Sequence, residues 1–192
     1  MILKSGNVTL QLMINEFIPV FLTMFILIDP LGVSMVYLSL VNSAHLNKHE
    51  ERVVAFKAPG IAFFVLTLFI FFGRQLISAL GIQPGSLYVA GGILLFFVAM
   101  DLLFGKAKRT TKTNENAGEY DGTEIAIFPL ALPLLSGPGA ITAILIFTSE
   151  HSESLGFTFI LLGIVALVLF TAMIAMLGAD SCEKFSGEPA LR

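Results

Sequence analysis

The chain has 192 residues, 56% of them hydrophobic and 13% charged, with a formal net charge of -3. A soluble globular domain is roughly a quarter charged, and a chain of this size leaves too much surface outside its core to hide so many apolar side chains from water. The composition therefore excludes a water-soluble fold, the absence of a basic stripe excludes a nucleic-acid partner, and a lone cysteine, Cys182, excludes an internal disulfide.

A helix needs about 20 apolar residues to cross the hydrocarbon of a bilayer. Five runs meet or approach that length: 17–41, 53–72, 87–104, 125–148 and 157–177. With every backbone polar group to be paired inside the membrane, and no strand-like alternation, these runs predict helices rather than a barrel. The first run is followed by further apolar residues and by no small-residue cleavage site, so it reads as a retained span.

The gaps are polar. Residues 42–52 carry His45 and His49, four apart, which read as a loop-facing pair. A connection starting at Gly73-Arg74 ends in the turn signal Ile82-Gln83-Pro84-Gly85. Residues 105–123 form the longest polar linker, 150–154 are short and acidic, and 178–192 form a polar tail. Lysine and arginine concentrate on one side: Lys48, Arg52 and Lys57, then Lys106, Lys108, Arg109 and Lys112, then Lys184 and Arg192. That side is expected in the cytoplasm, which places the amino terminus outside and loops 42–52 and 105–123 inside.

Two spans contain helix breakers near their middles. The first reads Phe25-Ile26-Leu27-Ile28-Asp29-Pro30-Leu31-Gly32 and the fourth Leu132-Pro133-Leu134-Leu135-Ser136-Gly137-Pro138-Gly139-Ala140-Ile141-Thr142. Proline removes an amide donor and glycine loosens the backbone. Asp29 lies about twelve residues from either end of its span, near the midplane at a rise of about 1.5 Å per residue. Asp-Pro and Ser-Gly-Pro are also helix starts, with Asp29 and Ser136 as caps and the prolines at the first helical position.

Superposing Pro30 on Pro138 brings Gly32 onto Ala140 and Ser34 onto Thr142. Three spans separate the two copies, so they run in opposite directions. This predicts an inverted repeat with discontinuous helices in spans 1 and 4, a pattern that points to a transporter site. The site residues are Asp29, Pro30, Gly32 and Ser34 against Ser136, Gly137, Pro138, Gly139 and Thr142. Both second half-helices would aim free N–H groups and a positive dipole end at the midplane and together hold an anionic group such as a carboxylate. Plain packing kinks are the rival reading of both breaks.

Asp29 admits two roles. A carboxylate at mid-bilayer is expensive and should face protein or water, as a proton or sodium site would. It is equally a helix cap satisfied by backbone N–H groups. Asp101 is expected at the cytoplasmic interface, Arg74 and Gln75 at the opposite one, and Gly91-Gly92 at a close helix contact. No nucleophile–base pair, metal cluster or phosphate loop is present, so the chain reads as a non-enzyme without a prosthetic cofactor, coupled if at all to H+ or Na+.

Three blocks resemble the MarC family of bacterial and archaeal membrane proteins. They are Ile28-Asp29-Pro30-Leu31-Gly32, Val89-Ala90-Gly91-Gly92-Ile93-Leu94-Leu95-Phe96, and Phe128-Pro129-Leu130-Ala131-Leu132-Pro133-Leu134-Leu135-Ser136-Gly137-Pro138-Gly139-Ala140-Ile141. The resemblance covers about Glu16 to Leu177. It implies an all-α, six-span membrane helical bundle of the LysE-like transporter group, in the bacterial inner membrane, with a small solute such as a neutral amino acid as substrate. The family carries Asn or Asp before the first proline, which favours capping at Asp29. It has Asn and Pro where this chain has Val33 and Met35.

The expectation is a single transmembrane domain over 1–192. Its first repeat spans about 14–104, followed by a linker at 105–123. An incomplete second repeat spans about 124–177 and a tail 178–192. No sixth apolar run follows Leu177, which reads as a truncated member, through a shifted reading frame after about Ala179. Expected partners are the lipid bilayer, a small-molecule substrate and, in a homo-oligomer, further copies. A non-transporting interaction or regulatory protein is the alternative function.

Overall fold

The computed structural model describes residues 17–44, 46–103, 122–151 and 155–186. Among them there are helices and short connections and no strand. The first apolar run forms α1 (17–28) and α2 (Pro30–Ser43), separated at the single residue Asp29. Val20, Met24 and Ile28 are buried at every fourth position of α1, and Val33, Tyr37 and Val41 continue the stripe on α2. The interruption thus leaves one buried face running through both halves.

α3 (Lys48–Ala79) starts earlier and ends later than its apolar run. Asn47 caps it with a reciprocal pair of bonds: its Oδ1 accepts from the Glu50 amide at 3.2 Å, and the Asn47 amide donates to Glu50 Oε2 at 2.9 Å. The polar gap at 42–52 therefore shrinks to residues 44–47, and His49 stands in the first turn of α3. His45 lies outside the described residues, so whether the two histidines pair is left there.

The connection expected from Gly73 is likewise helix. α3 stops only where Gly81 takes φ 64° and the amides of Gly81 and Ile82 return to the carbonyls of Ser78 and Ile77. That is a Schellman ending, and its left-handed residue is where glycine is favoured. Pro59 sits inside α3, buried, without ending it.

α4 (Pro84–Leu103) has Pro84 at its first position. A short α5 (Gly122–Ile125) leads into the segment Ala126–Leu135, described below. α6 (Pro138–Glu150) and α7 (Leu155–Ser186) are the last described elements. The backbone of α7 stays helical beyond residue 177, into the polar stretch.

Among the described residues, three helices are long and apolar enough to span a membrane: Phe17–Ser43 taken together, Lys48–Ala79 and Leu155–Ala179. Pro138–Glu150 is apolar but shorter. The chain is an all-α membrane bundle. Lys57 and Arg74, both exposed, stand about 25 Å apart along α3 at 1.5 Å per residue, close to a hydrocarbon thickness of roughly 30 Å. Their long stems let the charged heads reach either interface.

α3 is the centre of the bundle, packing on α5, the segment 126–135, α6 and α7. α7 buries Leu161, Ile164, Val165, Val168, Leu169, Ala172 and Met176, a double stripe that serves two neighbours. Those neighbours are α2 and α3, while α6 packs on α3 and α4. Outer positions such as Phe64, Phe72, Phe96 and Phe159 are exposed, an apolar surface that suits lipid. Lipid tails are as apolar as these side chains, so interhelical packing rather than escape from water holds the bundle together. Small residues tighten it: Ala55, Ala58 and Ala62 on α3 are fully buried.

Candidate functional site: two interrupted helices

At the first break, Asp29 adopts φ 44° and ψ 71°, and it is the one described non-glycine residue with positive φ. The helical bonds stay intact on either side, from the Asp29 amide to Phe25 and from the Val33 amide to Asp29. Pro30 has no amide to offer, which opens the ladder at this point. The exposed Asp29 carboxylate then folds over the first turn of α2 and accepts the Gly32 amide on Oδ1 at 3.1 Å. This is the capping role, and it occupies a donor that an incoming anion would use.

Glycine at position 32 is part of the same geometry. A Cβ there would lie 2.2 Å from Asp29 Oδ2, closer than any side chain tolerates. The carboxylate sits in the space that a side chain would take.

The second break is longer than expected. The sequence predicts a helix from 125 interrupted between Leu132-Pro133 and Pro138-Gly139. Instead, the whole of Ala126–Leu135 leaves the α-helix, with wider i→i+5 bonding interrupted by two extended residues. These are Phe128 (φ -133°, ψ 125°) and Leu132 (φ -127°, ψ 118°). Each precedes a proline, Pro129 or Pro133, whose ring clashes with an α-helical predecessor and pushes it into extended backbone. Leu132-Pro133 is among the breakers legible in the sequence, and Phe128-Pro129 extends the interruption back toward α5.

Ser136 does not cap α6, contrary to expectation. Its amide (3.0 Å) and its hydroxyl (2.7 Å) both donate to the Ala131 carbonyl, closing the segment on itself. Gly137 is the cap residue and has no side chain to cap with, and Pro138 opens α6. The first intrahelical bond runs from the Ile141 amide to Gly137. The amides of Gly139 and Ala140 thus receive nothing from the cap. The breaks are unequal: α2 carries its own anion and α6 does not.

The remaining predicted hydroxyls turn inward on their own helices. Ser34, buried, donates to Leu31 at 2.7 Å, and Thr142 donates to Pro138 at 2.7 Å. The Thr142 bond aims its methyl at α4, where a Cβ on Gly91 would lie 2.5 Å from Thr142 Cγ2. Gly91 is therefore the close contact expected of the glycine pair. Gly92 has open space and is exposed. Asp101's side chain lies outside the described residues.

The two breaks share one apolar core. Ile28 and Val33 belong to the same cluster as Leu130, Leu135 and Ala140, and α2 packs on the segment 126–135. Two tethers invisible in the sequence frame them. The buried Tyr37 hydroxyl donates to the Glu51 carbonyl at 3.0 Å, and Tyr88 of α4 donates to the carboxylate of Glu150 at the end of α6. Among the described residues no group of three or more acidic, histidine or cysteine side chains could hold a metal.

Comparison with known proteins is consistent along the chain. The family profile described as "MarC family integral membrane protein" matches residues 14–188. A UPF0056 membrane protein of Methanocaldococcus jannaschii is 33% identical over 179 residues, 93% of this chain and 86% of the relative. One from Aquifex aeolicus is 40% identical over 131 residues, 68% of this chain and 60% of the relative, so the match spans less than two thirds of that protein. The UPF0056 membrane protein YvbG of Bacillus subtilis is 28% identical over 162 residues, 83% of this chain and 76% of the relative. No solved structure matches.

Proposed function

The chain belongs to the MarC family of integral membrane proteins, and from that premise we propose that it is a secondary transporter of small zwitterionic solutes, neutral amino acids among them. One observation carries the reading: α6 begins inside its span at Gly137-Pro138 with no side-chain cap. Such a helix start offers free N–H groups and the positive end of a dipole to an anion. Asp29 offers the opposite charge, because a carboxylate that accepts one amide bond retains further acceptor sites. A solute carboxylate at Gly139 and Ala140 and a solute ammonium at Asp29 use both. Ser34, Ser136 and Thr142 serve this site as backbone fasteners, with their lone pairs left for the solute.

The inverted repeat is part of the proposal. Exchanging α2 with α6 and α3 with α7 turns the α2–α7 contact into the α6–α3 contact and leaves α3–α7 unchanged, and all three contacts are present. The proposed repeats run over about 14–104 and 124–177 of one transmembrane domain. The basic residues Lys48, Arg52 and Lys57 support a cytoplasmic side for their end of the bundle, in a bacterial inner membrane. A proton or sodium ion couples the transport, no prosthetic group takes part, and self-association through the lipid-facing helices is compatible with it.

A second reading has its own support. All three site hydroxyls donate to their own backbone, and Val33 and Ala140 join the apolar core. That is the pattern of breaks serving packing in a non-transporting interaction protein. Competition in proteoliposomes separates the two. Zwitterionic amino acids should compete for uptake of labelled alanine, while simple amines and monocarboxylates of equal size compete weakly. Equal competition by all three classes would remove the two-point site.

A further inference from the structure

We propose that Lys57 is the positioning residue for the unwound segment 126–135, fixing through Thr123 where that segment stands against α6. The inference rests on the reading of the second break as the solute site. It concerns what holds one wall of that site in place.

α6 is a braced element. A Cβ on Gly73 of α3 would lie 2.6 Å from Leu145 Cδ2, and one on Gly91 of α4 would lie 2.5 Å from Thr142 Cγ2. Tyr88 bonds Glu150 at the far end, and the His151 ring stacks on Phe157 of α7 with centroids 3.8 Å apart. Contacts from three helices leave α6 little freedom to shift.

The segment before it is held differently. Proline at 129 and 133 removes two amides from its ladder, and Phe128 and Leu132 are extended. Its distal end closes on itself through Ser136 and Ala131, and Leu130 and Leu135 seat it in the core beside α2 and α3. Its proximal end follows α5, and there Lys57 Nζ donates to Thr123 Oγ1 at 2.9 Å, joining residues 66 apart in sequence. A charge-assisted bond is roughly twice as strong as a neutral one. It acts on α5 at the point where the chain enters the segment, so its lever arm is the segment itself.

Amide hydrogen exchange of the full chain in lipid nanodiscs tests this. Lys57→Met keeps the stem and removes the ammonium, Lys57→Arg restores a cationic donor, and Thr123→Val removes the acceptor. In Lys57→Met and Thr123→Val, amides of Ala126–Leu135 should exchange about two- to fivefold faster, the scale of an exposed charged contact. Those of Ile141–Glu150 should be unchanged. Combining the two substitutions should add nothing further, and Lys57→Arg should exchange like the wild type. Unchanged exchange in Lys57→Met overturns the inference. So does a uniform rise across α3, α6 and α7, which marks general destabilisation. Absence of solute flux in the wild type would remove the transport reading and leave the exchange result standing.

Discussion

The carboxylate of Asp29 fills the space that any side chain on Gly32 would need. The Gly32 amide donates to Asp29 Oδ1 at 3.1 Å, and a Cβ on Gly32 would lie 2.2 Å from Oδ2. Gly32→Ala must therefore displace the cap. The expected loss is about 1 kcal/mol, the typical worth of an N-cap side chain, read as a lower thermal midpoint in detergent. Asp29→Asn should stay within roughly 0.5 kcal/mol of wild type, because Asn caps as well as Asp and tolerates left-handed backbone. A large loss in Asp29→Asn would mean that the charge, rather than the cap, holds the break.

The two neighbouring glycines of α4 should respond oppositely. Gly91→Ala drives a methyl into Thr142 Cγ2 and should destabilise by about 1–3 kcal/mol, the usual range for overpacking. Gly92→Ala meets nothing within 4 Å and should be neutral or stabilising by up to about 1 kcal/mol, from helix propensity. Thr142→Ser removes the clashing methyl and should rescue Gly91→Ala in a double-mutant cycle. Thermal unfolding of the four proteins is the measurement, and an absent coupling would place the α4–α6 contact elsewhere.

Replacing Pro129 and Pro133 together by alanine frees Phe128 and Leu132 to become helical. The segment should rewind into a helix continuous with α5. Its amides should become more protected from exchange, and solute flux should fall by an order of magnitude or more. Higher protection with undiminished flux would show that the unwound backbone is dispensable.

The backbone is legible in the sequence where one residue's chemistry decides it. Asp29-Pro30 announces a capped helix start, and Gly91 a close contact. It is not legible where the cause is spread over neighbours. Gly73-Arg74 looked like a loop because both residues are poor in the apolar signal, yet the arginine stem reaches the interface from inside α3. Ser136 carried the chemistry of a cap, but Leu132-Pro133 bent the chain so that its hydroxyl meets Ala131 first. Lys57–Thr123 and Tyr37–Glu51 are long-range partners, set by helix packing that no local pattern encodes.

The central claim is that two helix breaks of unequal charge form a path for small zwitterions. Uptake of labelled alanine by proteoliposomes, with wild type and Gly32→Ala reconstituted side by side, tests it most directly. The expected result is saturable wild-type uptake, reduced about fivefold when the Asp29 carboxylate is displaced, the factor that corresponds to about 1 kcal/mol. No saturable uptake by wild-type protein with a cooperative thermal transition, or uptake indifferent to Gly32→Ala, would contradict it.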